Sequence, residues 1–215
     1  MSDPTTERDS IRRAYDAIAD DYAAACSDAP PETVLLDSLC DSLDAGARVL
    51  DAGCGNGVPI SVDLSDEFEV VGLDFSREQL RCHLAAAPTA RRVQGDMTAL
   101  PFATDAFDVV CAFHSLIHVP TAQHGDVLAE FARVLRPGGR VLFSTGEGAW
   151  TGSNPDWLDS GVEMRWSFPG LPRTLELLDA AGFQQLDVRR IDDELAEEDD
   201  DDDGYFPFVL ARLRA

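Results

Sequence analysis

One stretch constrains the fold of this chain more than any other: Val49-Leu50-Asp51-Ala52-Gly53-Cys54-Gly55-Asn56-Gly57. A short apolar run, Arg48–Asp51, breaks into three glycines at alternate positions, and a segment with helical character follows. That order predicts a buried strand turning into a helix through a backbone that side chains leave bare. Glycines there let a ligand approach main-chain N–H groups beside the positive end of the helix. A dinucleotide fingerprint needs its third glycine where this chain has Val58, and a P-loop needs a lysine that is also missing. The turn therefore predicts a nucleotide-like site of a different kind.

Around this turn the sequence alternates strands and helices. Residues 7–25 predict one amphipathic helix, with Ile11, Tyr15, Ile18 and Tyr22 at helical spacing, and 32–43 a second. Strands are predicted at 69–73, 92–94, 107–113 and 140–144, with helices at 58–67, 77–87, 122–135 and 171–181 between or beyond them. Ser76 is a good N-cap, and Pro88 stops the helix that follows it. The near-continuous apolar run Phe107–Phe113 fits a strand covered on both faces. Two last strands, 183–191 and 205–213, have no helix between them and are expected to pair antiparallel. The pattern as a whole predicts an α/β fold with a mostly parallel sheet and helices on both faces. Residues 147–170 show little periodicity and read as a long loop.

Charge narrows the partners. The chain has 215 residues, 40 acids against 17 bases and a net charge of -23, and all the bases are arginine. Such a surface repels phosphate backbones and anionic membranes, so neither nucleic acid nor membrane is an expected partner. No apolar run approaches the roughly 20 residues needed to span a bilayer, and MSDPTTERDS has neither the basic nor the apolar part of a signal peptide. GC-rich coding would explain arginine for lysine, but not the acid excess, which suits a salt-rich, halophilic cytoplasm. Five cysteines, an odd number without a C-x-x-C, fit buried thiols in a reducing compartment rather than disulfides or zinc.

Five motifs in order carry a resemblance: VLDAGCGNG at 49–57, VVGLDFS at 70–76, QGDMTALPF at 94–102, DAFDVVCAFHSLIHV at 105–119 and RVLRPGGRVLFS at 133–144. Together they resemble the class I S-adenosylmethionine-dependent methyltransferases over about 45–150. The resemblance implies a Rossmann-like seven-stranded sheet, mostly parallel with an antiparallel last strand. It also implies an N-terminal helical cap at 1–45 and a cofactor-binding domain at 46–215. Within that domain it suggests a Trp-rich lid at 147–170 and an acidic loop at 192–203. The implied cofactor is S-adenosylmethionine and the implied partner a small-molecule methyl acceptor.

The same resemblance assigns site residues. Gly53, Cys54 and Gly55 would meet the cofactor's amino-acid end, with Asp51 either taking its ammonium or capping the turn. Asp74 would accept the ribose hydroxyls, Phe75 and Met97 would flank the adenine, and Asp96 would meet its amino group. Phe113 would lie beneath the cofactor. His114 and His118 would face the cofactor, pack structurally, or serve as a base; their spacing suggests no third ligand, so no metal is expected. Tyr15 or Tyr22 of YDAIADDY, with Tyr22 preferred and a candidate for a catalytic role, would cover the cofactor or acceptor, or both would simply pack. Trp150, Trp157, Arg165 and Trp166 would wall the acceptor pocket, or the segment would merely cover the sheet edge. His83 and His124 read as exposed helix residues. The acidic run at 192–203 holds ten acids in twelve residues and reads as a solvated loop. Two other classes stay open: a nicotinamide-dependent oxidoreductase, which Val58 argues against, and a non-catalytic cofactor-binding protein.

Overall fold

In the computed structural model, residues 4–26, 31–41, 43–192 and 205–215 are described. Its centre is a seven-stranded sheet built outward from the Gly-rich segment. Strand β1 (Arg48–Ala52) pairs in parallel with β2 (Glu69–Asp74) on one side and β4 (Phe107–Ala112) on the other, and β3 (Arg91–Gln94) adds beyond β2. Strand β5 (Leu135–Ser144) continues the parallel series beside β4. Strands β8 (Phe183–Asp192) and β9 (Tyr205–Leu213) close the sheet, with β9 antiparallel to both neighbours. The order is β3-β2-β1-β4-β5-β9-β8. The predicted sheet and its antiparallel last pair are therefore present.

Alternation along the strands sorts the core onto two faces. Leu50 and Ala52 of β1, with Val110 and Ala112 of β4, meet Val127, Leu128 and Phe131 of α6 (His124–Val134) and Leu178 of α7 (Leu171–Ala180). Val49 and Val109 point the other way, onto Leu35, Leu36 and Leu39 of α3 (Thr33–Cys40) and Ile60 and Leu64 of α4 (Ile60–Leu64). Both faces being covered explains why these strands read as apolar runs.

The single helix expected over 7–25 is two. Helix α1 (Pro4–Ala17) and α2 (Ala19–Ala25) meet at Ile18, whose φ of -110° and ψ of 15° break the helical path while its side chain stays buried. The loop expected over 147–170 is also not one. Strand β6 (Ala149–Asn154) pairs antiparallel with β7 (Met164–Pro169), joined through a 3-10 turn at Trp157–Asp159. Helices α1 and α2 pack on this hairpin: Ile11, Ala14 and Ile18 cluster with Trp157 and Met164.

His83 and His124, read as exposed, are both buried. His83 lies on α5 (Arg77–Ala86), and glycines make its room: a Cβ on Gly72 would sit 2.7 Å from its Nε2, and one on Gly57 3.1 Å from Cδ2. Burial pushes its pKa down to about 4. His124 begins α6, and its Nε2–H donates to the Val119 carbonyl at 2.9 Å. Most of the acidic loop, 193–203, lies outside the described residues.

Candidate functional site

The parallel strands all end on one edge, and the sheet order reverses between β1 and β4. Open α/β sheets bind ligands at that point. A cavity with about 630 Å³ of empty space, partly open to solvent, lies there. Among the predicted residues, Gly53, Gly55, Asp74, Phe75, Asp96, Met97, Phe113, His114, His118 and Tyr22 line it together. Asp51, Cys54, Trp150, Trp157, Arg165 and Trp166 do not border it.

The Gly-rich turn is held from below. The N–H groups of Gly53 and Cys54 both donate to the Leu73 carbonyl of β2, at 2.7 and 3.0 Å. Gly53, Gly55 and Gly57 have φ of 79°, 49° and 95°, a region that side-chain-bearing residues rarely enter. A Cβ on Gly53 would lie 2.3 Å from the Ser115 side chain, so glycine is required there for packing as well.

Two buried carboxylates sit at the strand ends. Asp51 Oδ2 accepts from Ser61 Oγ at 2.7 Å beneath the turn. Burial pushes its pKa up to about 7, the Ser61 hydrogen bond opposing and the charge of Asp74 adding to the rise. Asp74 accepts the N–H of Gly55 at 2.9 Å and of Ser76 at 2.8 Å. Burial raises it to about 6 against those two hydrogen bonds. Asp96, after β3, has both oxygens engaged: Thr98 donates to Oδ1 through N–H and Oγ1, and Arg8 of α1 forms an ion pair with Oδ2.

Aromatic side chains roof the cavity. Tyr15 stands edge-on to Tyr22, His118 and Trp157, with centroids 5.5, 5.1 and 5.8 Å away. His118 Nδ1 lies 2.9 Å from the Arg165 carbonyl, which only accepts, so that nitrogen carries the proton. Its Nε2 therefore accepts from the Tyr15 hydroxyl at 2.7 Å. Burial lowers this imidazole to about 4, which keeps it neutral near pH 7. Trp166 packs on His118 and Trp157, whereas Trp150 is half exposed and the Arg165 side chain turns outward to Glu163. Trp157 and Trp166 thus back the residues that line the cavity.

Sequence reasoning missed the lining residues Arg8 and Gln79. Arg8 reaches Asp96 across 88 positions of chain. Gln79 is buried, borders the cavity, and has no protein hydrogen-bond partner for either side-chain polar atom. It follows Asp74 by five residues on the helix capped by Ser76, whose hydroxyl accepts from the Gln79 N–H, so helical phase alone pointed to it. Among the described residues no group of three or more His, Cys, Asp or Glu is arranged to hold a metal.

Comparison with known proteins follows the geometry. Residues 50–143 match the family described as "Methyltransferase domain". The chain is 37% identical over 166 residues to 27-O-demethylrifamycin SV methyltransferase of Amycolatopsis mediterranei, covering 66% of this chain and 59% of that one. It is 38% identical over 141 residues to demethylmenaquinone methyltransferase of Beutenbergia cavernae, covering 64% and 56%. The aligned regions thus span less than two thirds of either curated relative. In fold it resembles the Burkholderia thailandensis 1,6-didemethyltoxoflavin-N1-methyltransferase, solved with that substrate and S-adenosylhomocysteine, at TM-score 0.74, 21% identity and 100% and 92% coverage.

The cavity also holds polar groups left open to a ligand. The unpartnered amide of Gln79 is a donor and acceptor awaiting a ligand's polar atoms. A Cβ on Gly55 would come within 3.8 Å of Gln79 and Tyr22, in the space that a ligand against the turn would use.

Proposed function

We propose that this chain, a member of the class I S-adenosylmethionine-dependent methyltransferases, transfers a methyl group from that cofactor to a small-molecule acceptor. The observation that carries the reading is one cavity bordered by Gly53 and Gly55 of the turn, Asp74, Asp96 and the unpartnered Gln79. The glycine backbone at Gly53 and Gly55, which borders the cavity without side chains, receives the cofactor's amino-acid end. Asp74 accepts the ribose hydroxyls and is already aimed by Gly55 and Ser76. Phe75 and Met97 hold the adenine between them, and Asp96 shares its oxygens between Arg8 and the adenine amino group. Asp51 acts from beneath the turn, through the field at its backbone or a bridging water, because it does not border the cavity.

When bound, the cofactor supplies a sulfonium-activated methyl. What the chain's residues add is position and dryness. Tyr15 and Tyr22, backed by Trp157, close over the strand ends and exclude water. Phe113 forms the apolar floor, and the hairpin β6–β7 bounds the acceptor side through Trp157 and Trp166. The relatives named above carry small-molecule names, which supports a small acceptor. The acidic surface sets the working environment of this reading as a salt-rich cytoplasm.

Asp74→Ala is the direct test. Loss of a charge-assisted hydrogen-bond pair is expected to weaken S-adenosylhomocysteine binding by at least about tenfold in calorimetry. Unchanged affinity would remove Asp74 from the cofactor site.

A further inference from the structure

His114 directly follows Phe113 at the end of β4 and is one of the residues that line the cavity. Its backbone is left-handed, with φ of 47°, and its N–H donates to Ser144 Oγ at 2.6 Å. A strained residue at a site edge is one that the surrounding structure holds deliberately. Its ring is clamped edge-on between Phe206 and Phe208 of β9, at 5.1 and 5.5 Å. Its Nε2 lies 3.2 Å from Glu32 Oε1.

Glu32 is the unusual partner. In a chain whose acids crowd the surface, three carboxylates are buried among the described residues: Glu32, Asp51 and Asp74. Asp51 and Asp74 serve the Gly-rich turn. Glu32 stands at the start of α3, and its side chain makes no capping bond. A buried carboxylate needs a partner, and here that partner is an imidazole of the site. Accepting from Nε2–H fixes the tautomer and leaves the lone pair on Nδ1. Among the described residues Nδ1 has no hydrogen-bond partner. His118 differs: both of its nitrogens are engaged, by Tyr15 and the Arg165 carbonyl, so it has no lone pair to offer.

We propose that His114 is the general base of the transfer, that Glu32 is its positioning residue, and that the acceptor is therefore a hydroxyl compound, a phenol or alcohol. This rests on the methyltransferase reading above. An aromatic amine, neutral at pH 7, attacks with its own lone pair and needs no base beforehand. A phenolic hydroxyl, with a pKa near that of tyrosine at about 10, is ionised in roughly one molecule in a thousand at neutral pH. A positioned base offsets that deficit by about 10²–10⁴-fold. In the step, the acceptor oxygen forms a bond to the methyl carbon as the carbon–sulfur bond breaks and its electron pair returns to sulfur. The hydroxyl proton passes to Nδ1, giving an imidazolium beside the Glu32 carboxylate. The products are the methyl ether, S-adenosylhomocysteine and a proton, which leaves through the partly exposed edge of His114.

The test uses the full chain, radiolabelled S-adenosylmethionine and two acceptor panels. One holds phenol, 2-naphthol, 4-nitrophenol and primary alcohols; the other holds aniline and thiophenol. Asn tolerates left-handed backbone, so His114→Asn keeps the fold. It is expected to lower kcat on 2-naphthol by about 100-fold, and by less than about tenfold on 4-nitrophenol, which is largely ionised without help. Glu32→Gln should lower kcat with KM and S-adenosylhomocysteine affinity held, and Glu32→Asp should restore part of it. Nitrogen NMR of the S-adenosylhomocysteine complex should show His114 as the Nε2–H tautomer. Equal losses across both phenols, an Nδ1–H tautomer, or bound S-adenosylhomocysteine with no hydroxyl methylated would each overturn the proposal. Failure of the wild type to bind S-adenosylhomocysteine would instead overturn the methyltransferase reading and this inference with it.

Discussion

Asp51 and Asp74 share one electrostatic problem. Burial lifts them to about 7 and about 6, so each is held near neutrality by the same desolvation that a ligand's positive or donor groups would relieve. For the free protein the sign is clear. Both folded pKa values lie above the ordinary carboxylate value, so the stability these groups contribute is full in acid and is lost as pH rises through 6 and 7. Cofactor binding runs the other way, since ammonium and hydroxyl donors favour the charged carboxylates. The rise in Tm produced by saturating S-adenosylhomocysteine should therefore grow between about pH 5.5 and pH 8, with protons released on binding. Asp74→Asn should flatten most of that growth. A pH-independent ligand shift in the wild type would mean that ligand binding changes the charge of neither carboxylate.

At the scale of elements, the N-terminal helices and the β6–β7 hairpin form one unit. Trp157 joins them, packing against Tyr15 and Tyr22 with centroids 5.8 and 5.7 Å apart. Trp157→Ala opens a cavity there and is expected to cost about 3–5 kcal/mol. Because the two tyrosines roof the site, turnover should fall more than cofactor affinity. Hydrogen exchange should quicken in α1, α2 and the hairpin while β1, β4 and β5 stay protected. Uniform quickening across the sheet would show that the cap is not a separate unit.

Which of these elements the sequence discloses follows from what holds them. Strands β1, β4 and β5 are covered on both faces, so their burial is written as apolar runs, and the Gly-rich turn marks itself by composition. The hairpin is held differently. A Cβ on Gly152 would lie 2.4 Å from the Trp150 ring, and one on Gly146 1.9 Å from Phe168. Rings laid over glycines leave no period-2 pattern, which is why 147–170 reads as a loop. The site divides along the same line. Asp74, Asp96 and Phe113 are local features of strand ends, whereas Arg8 and Glu32 arrive from helices whose docking no local pattern encodes.

For the whole molecule, the charge excess outweighs every pairing within it. At least eleven of the seventeen arginines reach a carboxylate within 4.0 Å, yet most of these pairs are exposed, such as Arg81 with Asp20 and Arg173 with Glu176. Exposed pairs contribute about 0–1 kcal/mol each and are themselves screened by salt. Even complete pairing would leave 23 negative charges in excess. Their repulsion reaches across about 10 Å at 0.1 M salt but only about 3 Å at 1 M. Salt thus weakens a small attraction and a larger repulsion together, and the repulsion decides the sign. Tm should rise with potassium chloride from about 0.1 to 2 M by roughly 10 °C, the shift expected of several kcal/mol in a chain of this size. Two controls separate the cause. Sucrose, which strengthens burial without screening, should give a smaller rise. Replacing exposed acids by their amides, Glu176→Gln and Asp20→Asn among others, should reduce the salt dependence in proportion to the charge removed. Equal stability in dilute buffer and molar salt would mean that repulsion costs this fold nothing, and the salt-rich setting would lose its physical basis.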